Sequence, residues 1–207
     1  MRSLHGQLRA ATASLHERLE ASVPLLRPSA GEHTYRWYLA RLYGVSVPLE
    51  RAVGGVAGLD ALGLDLGGRR KSGALASDLA ALGLEARALA KLPRCGFLPE
   101  LSDVPAALGC LYVMEGASLG GQVLHRELSC RMPEPMRVAS RYLRFYGAET
   151  GARWRTFLAA LASYDGDAEA SAAAVHTARA TFVVLQGWLA EPPRRFAAGG
   201  ATGALDA

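Results

Sequence analysis

Apolar residues recur along the chain at steps of three and four, and no stretch alternates in the way a half-buried strand requires. From Ser3 to about Ala21, Leu4, Leu8, Ala11, Leu15 and Leu19 form one edge of a helix that Pro24 and Pro28 lie beyond. The pattern resumes from Glu32 to about Val47 with Tyr35, Tyr38, Leu39 and Leu42 inward, and Pro48 predicts a kink or an end there. Many glycines in 54–73 predict a loop with at most one short helix, followed by a helix from Ser72 to about Leu92 that Pro93 stops. LPRCGFLPEL is then an irregular connection. Met136 to Leu161 reads as one long helix, or as two joined near Gly147 and Gly151. A last helix, Ala168 to Leu189, turns Val175, Ala178, Phe182, Leu185 and Leu189 inward, with Asp165 or Asp167 as its N-cap. The predicted fold is all-α, a single-domain bundle of seven or eight helices over 1–190 with a disordered tail over 191–207.

One stretch departs from this regularity. In Ala107 to Leu128, ALGCLYVMEGASLGGQVLHREL, helical spacing of Leu108, Leu111, Tyr112, Leu119 and Val123 is interrupted by Gly116, Gly120 and Gly121. An interior glycine costs roughly 1 kcal/mol against alanine, so three within six residues call for a compensating reason. Either two helices cross closely at the small residues, or the backbone lies against something flat and large.

Half of the 207 residues are hydrophobic, enough for a substantial core. A net charge of +4, from 23 basic and 19 acidic residues, comes without a basic run interleaved with aromatics. Nucleic acid is therefore not the expected partner, and a small anionic ligand suits the charge better. The amphipathic N-terminus lacks the apolar core of a secretory signal, and no apolar run reaches membrane-spanning length. Cys95, Cys110 and Cys130 have no pairing pattern, which favours reduced thiols and a cytoplasmic location.

Beside the apolar edge of the first helix, Arg9, Thr12, His16 and Glu20 follow one another at three and four residues along one flank. His16 on the border of a core face is either a structural imidazole or an axial metal ligand. Arg9 lies two turns before it, about 10 Å along the axis, comparable with the iron-to-propionate span of a haem. A histidine helix below, glycines above and late arginines for propionates together describe a haem sandwich.

ATASLHERLE is similar to the proximal motif of haem oxygenases, and YVMEGASLGGQVL to their distal-helix motif in the form of the bacterial, phytochrome-associated enzymes. LPRCGFLPEL, Pro48 to Glu50 and ATFVVLQGWL resemble the same family in order and spacing, so the resemblance runs from about residue 4 to 190. It implies His16 as iron ligand, Glu20 as the acidic residue one turn later, and Arg9, with Thr12 on the same flank, near a propionate. It implies Gly116 and Gly120 as distal glycines against the haem face, with Gly121 following. Arg153 and Arg155 fall near a second propionate position and Phe182 near a pocket wall. Where some members carry an aspartate after the first glycine, and bacterial relatives commonly a serine, this chain has Ala117.

The implied activity is oxidative cleavage of haem to biliverdin, carbon monoxide and ferrous iron, with haem as both substrate and cofactor. Dioxygen and an external reductant such as a ferredoxin or reductase would be the partners, and a bacteriophytochrome a candidate user of the product. Ala117 keeps open a haem carrier or sensor without turnover. A helical interaction module without tetrapyrrole is the remaining rival, whereas carboxylate-bound metals would need repeated E-x-x-H ligands that this chain lacks.

Overall fold

The computed structural model describes residues 3–190, and among them there are helices and no strands. The tail expected over 191–207 lies outside the described residues. Helix α1, Leu4–Ser22, begins where Ser3 accepts a hydrogen bond from the Gly6 amide at 3.2 Å, and it buries Leu4, Leu8 and Leu15.

Helix α2, Glu32–Gly54, continues past Pro48, so of the kink or end expected from sequence the end does not occur. Proline lacks the amide that would bond the Gly44 carbonyl four residues back. The Cys95 amide donates to that carbonyl instead, at 3.0 Å. The irregular connection thus satisfies the group that Pro48 leaves open, and Gly44 itself lies against it: a Cβ there would come within 2.5 Å of the Pro93 carbonyl oxygen.

The loop after α2 holds two short 3-10 turns, Asp60–Leu62 and Gly67–Arg69. The single helix expected over Ser72 to Leu92 is two, α3 (Ser72–Ala81) and α4 (Ala86–Ala90). Gly83, at φ +85°, takes the left-handed conformation, and the Leu84 amide reaches back to the Leu79 carbonyl at 3.0 Å. This closing motif ends α3 at Ala81, well before the expected Leu92.

Helix α5, Val104–Arg131, contains all the glycines of the central stretch in 28 unbroken residues, about 42 Å at the usual rise. Asp103 caps it, accepting from the Ala106 amide at 2.8 Å. The region expected as one or two long helices resolves into α6 (Pro133–Val138), a run of turns over 140–146, a 3-10 turn at Gly147–Glu149 and α7 (Thr150–Ala162). Helix α8, Ala168–Leu189, has the expected bounds; Asp167 caps it through the Ala170 amide at 2.9 Å. The other cap candidate, Asp165, accepts from the Leu4 amide at 2.6 Å and so ties the start of α1 to the start of α8.

Helices α1 and α5 both pack on α8. Two apolar clusters flank this layer, one around Leu8, Leu108, Phe157 and Phe182, the other around Leu25, Leu39, Leu75 and Leu128. No helix among the described residues is long and apolar enough to cross a membrane.

Candidate functional site

The glycines of α5 divide into two kinds. A Cβ at Gly109 would lie 2.1 Å from the Ala174 carbonyl oxygen of α8, and one at Gly121 would lie 2.8 Å from the Leu143 carbonyl oxygen of the 140–146 turns. These two are glycines because backbone passes against backbone. Gly116 and Gly120 have nothing within 4 Å of that position. Close backbone packing therefore explains Gly109, against α8, and Gly121, against the turn at Leu143, and Gly116 and Gly120 need another reason.

They line a cavity of about 300 Å³, open on one side, whose other walls come from α1, α2, α8 and the turn at Tyr142 and Leu143. His16 and Glu20 face it from α1, and Gly116, Ala117, Gly120 and Gly121 from α5. The imidazole Nδ1 of His16 lies 3.5 Å from Glu20 Oε2, one turn on, which leaves Nε2 as the nitrogen available to a ligand. Its ring meets Phe182 edge to face at a centroid separation of 5.9 Å. Phe182 is itself buried, so it fixes the imidazole from behind. Six residues named from sequence, together with Phe182 behind His16, thus converge on one place.

Four others do not. Thr12 is buried and gives its hydroxyl to the Leu8 carbonyl at 2.8 Å. Arg9 is exposed on α1, away from the cavity lining. Arg153 is held by Asp65 at 3.0 Å and lies 3.6 Å from Glu149. That guanidinium and the Gly68 amide keep the Asp65 carboxyl below the usual range. Arg155 is exposed on α7, also outside the lining. Ser118, between Ala117 and Leu119 on α5, turns its hydroxyl into the protein, where it is buried without a partner.

Sequence reading also missed part of the lining: Leu124 and Glu127 on α5, Tyr142 and Leu143 in the turn, and Leu185, Leu189, Tyr38 and Leu42, which it treated only as core positions. Glu127 was within reach of the spacing, since Gly116, Gly120, Val123 and Glu127 continue the same face. Tyr142 and Leu143 carried no such signal, because their segment reads as helix. Asp78 of α3, wholly buried, holds that turn by accepting from the Arg141 and Tyr142 amides at 3.0 and 2.8 Å. Burial pushes the Tyr38 phenol up to about 12 and raises Tyr142 as well, so both walls present neutral hydroxyls.

Directly beneath Gly116, Glu115 is buried against two cations. It pairs with Arg69, accepts from Lys71 Nζ at 3.1 Å and takes the Tyr146 hydroxyl on both oxygens at 3.0 Å. Lys71 Nζ also donates to the Met114 carbonyl at 2.5 Å. Desolvation lowers the Lys71 ammonium from its ordinary value, and Glu115 opposes that shift. His125, the histidine of α5, lies outside the cavity lining, in a separate groove with Arg126 and Arg144.

An all-α bundle that sets one imidazole across an apolar cavity from a side-chain-free stretch of helix is built for a flat ligand with a coordinating centre. Comparison with known proteins gives the family. The model of the family described as "Heme oxygenase" matches residues 2–191, and this chain belongs to that family. A heme oxygenase of Xanthomonas campestris pv. campestris (strain 8004) is 36% identical over 126 residues, covering 61% of this chain and 71% of that protein. The crystal structure of the NO- and CO-bound heme oxygenase from Neisseria meningitidis has the same fold, at a TM-score of 0.65 and 22% identity over 97% of this chain and 98% of that one.

Proposed function

We propose that this haem-degrading enzyme would hold its substrate in the cavity between α1 and α5, with His16 as the residue that would ligate the iron. One observation carries the reading: His16 and the two glycines with open space at their Cβ positions, Gly116 and Gly120, line the same cavity. The residues fit the group, for they offer a neutral-capable imidazole, a strip of helix with no side chains in the way, and largely apolar walls. Bound haem would supply both the iron that takes up dioxygen and the porphyrin that is opened, yielding biliverdin, carbon monoxide and ferrous iron with electrons from an external donor.

The chain's own residues divide the remaining work. Glu20 orients His16 through Nδ1, and Phe182 supports its ring. Gly116 and Gly120 let the backbone approach the ligand face, and Ala117 adds only a methyl group to that wall. Tyr38 and Tyr142, phenols that are neutral at ordinary pH and that burial only shifts further upward, can donate hydrogen bonds and carry no charge into the cavity. The likeness of YVMEGASLGGQVL to the phytochrome-associated form supports biliverdin supply to a bacteriophytochrome, and the unpaired cysteine pattern supports a cytoplasmic location.

A hemin titration of the purified protein tests the site, followed by ascorbate in air with catalase to remove free peroxide. A saturable one-to-one spectrum that converts to the broad red absorption of biliverdin is expected. His16→Ala should fold yet lose that axial-ligand spectrum and most turnover; an unchanged ligand spectrum in the variant would remove His16 from the site. Binding by the wild type without conversion would favour the carrier or sensor, with Ala117 the residue to change first.

A further inference from the structure

Two polar groups of the cavity wall have nothing in the protein to bond. Tyr38 of α2 and Tyr142 of the 140–146 turns both line the cavity. Neither hydroxyl has a hydrogen-bond partner among the described residues, and neither is sealed inside the protein as the Ser118 hydroxyl is. The two phenols lie close enough for Tyr38 to raise the pKa of Tyr142, beyond what burial does to each. With Val23, Leu42, Leu143 and Leu189 they pack on the apolar cluster around Leu25 and Leu39, and so mark the inner end of the cavity. A third tyrosine shows the contrast. Tyr35 is buried outside the lining, and its hydroxyl donates to the Ala139 carbonyl at 2.6 Å.

A desolvated hydroxyl without a partner costs free energy, which a ligand oxygen beside it recovers. The substrate has no suitable oxygen for this end. The polar groups on the rim of haem are its two propionates, and a carboxylate is disfavoured here. No lysine or arginine lines the cavity, and the charged groups that act on the tyrosine group from behind, Glu50 on Tyr142 and Asp78 on Tyr35, are both acidic. Methyl and vinyl substituents accept nothing. The product differs from the substrate in this one respect: opening the ring at a meso carbon leaves a lactam carbonyl on each of the two flanking pyrroles. Two neutral acceptors thus arise side by side, and two neutral donors stand side by side in the wall.

Resting on the haem-cleaving reading above, we propose that Tyr38 and Tyr142 form a product subsite, in which each hydroxyl donates a hydrogen bond to a lactam oxygen of biliverdin and the meso carbon that is lost is the one facing them. These contacts exist only once the ring is open, so they favour product over substrate and orient the open chain by its cut ends. Phenols suit the task, since they pair with carbonyl oxygens without bringing charge into an apolar end of the cavity.

The test is a pair of titrations of the haem-free full chain, one with hemin and one with biliverdin, each followed by the absorption of the tetrapyrrole. Tyr38→Phe and Tyr142→Phe should each weaken biliverdin binding by about three- to tenfold, the loss of one neutral hydrogen bond, and weaken hemin binding much less. The double variant should combine the two losses, and should it not fold, the single variants carry the same reading. Tyr35→Phe serves as the control, because its hydroxyl is spent on Ala139: stability should fall and the ratio of the two affinities stay as in the wild type. Infrared spectra of bound biliverdin report the contact directly, and the lactam carbonyl stretch should rise in each cavity variant as its hydrogen bond is lost. An unchanged stretch and affinity in both single variants, equal weakening of hemin and biliverdin, or the same shift of the ratio in Tyr35→Phe would overturn the proposal. Loss of hemin affinity alone would overturn it too, by giving the phenols to a propionate. A wild type that takes up no hemin would sink the haem reading; biliverdin held through the phenols would still uphold the subsite, and biliverdin not held at all would overturn it.

Discussion

Glu115 accepts hydrogen bonds from Lys71 and from the half-buried Tyr146 and forms an ion pair with Arg69, and the carboxylate and both cations are buried. Removing only its carboxylate leaves two buried cations facing each other, and losing one partner of such a pair costs about 3–5 kcal/mol. Glu115→Ala should therefore lower the urea midpoint sharply without changing the slope. Replacing Arg69, Lys71 and Glu115 together by methionine should recover much of that loss, because no charge is then left unpaired; a triple variant no more stable than Glu115→Ala would deny the charge argument. The same residues mark what sequence reading could reach. The cations that meet Glu115 come from 46 and 44 positions away, and nothing in spacing links them to it. Arg153 failed for a related reason. A charge on a helix can be assigned a flank, but its partner here, Asp65, sits in the glycine-rich loop.

Among the elements, α5 has two sorts of glycine that look identical in sequence. Alanine at Gly109 would press a methyl group into the α8 backbone, so Gly109→Ala should cost about 1–3 kcal/mol of stability. Alanine at Gly116 enters open space and gains helix propensity, and should leave the haem-free protein as stable or up to about 1 kcal/mol more so while weakening hemin binding. Thermal melts of both variants without hemin decide the matter; equal losses would make Gly116 a packing glycine after all. Periodicity located α1, α5 and α8 to within a few residues because each carries a long apolar stripe. It failed where one local device decides: the Cys95 amide that lets α2 continue through Pro48, and the left-handed Gly83 that cuts α3 short. The 140–146 turns fail in a third way, since Asp78 on another helix captures their amides.

Across the whole molecule, the site is assembled from opposite ends of the chain. His16 stands on the first helix, Phe182 behind it on the last, and the Asp165 link joins the start of α1 to the start of α8 at a separation of 161 residues. A chain ending at residue 167 should lose cooperative unfolding and hemin binding together, because α1 and α5 would both lose the helix they pack on. Retained one-to-one binding by that fragment would make α8 dispensable. The family's all-α architecture was legible from the stripes alone. Which flank of which stripe faces the cavity was legible only where two motifs a hundred residues apart agreed.

That long closure bears on how the protein is born. While the ribosome is still adding residues before 168, α1 has emerged with Leu4, Leu8 and Leu15 short of α8, the last of the helices that cover them. The nascent chain then carries the histidine but not the chamber, so an unfinished protein is unable to sequester a redox-active porphyrin. Hemin uptake is thus expected to follow the synthesis of α8.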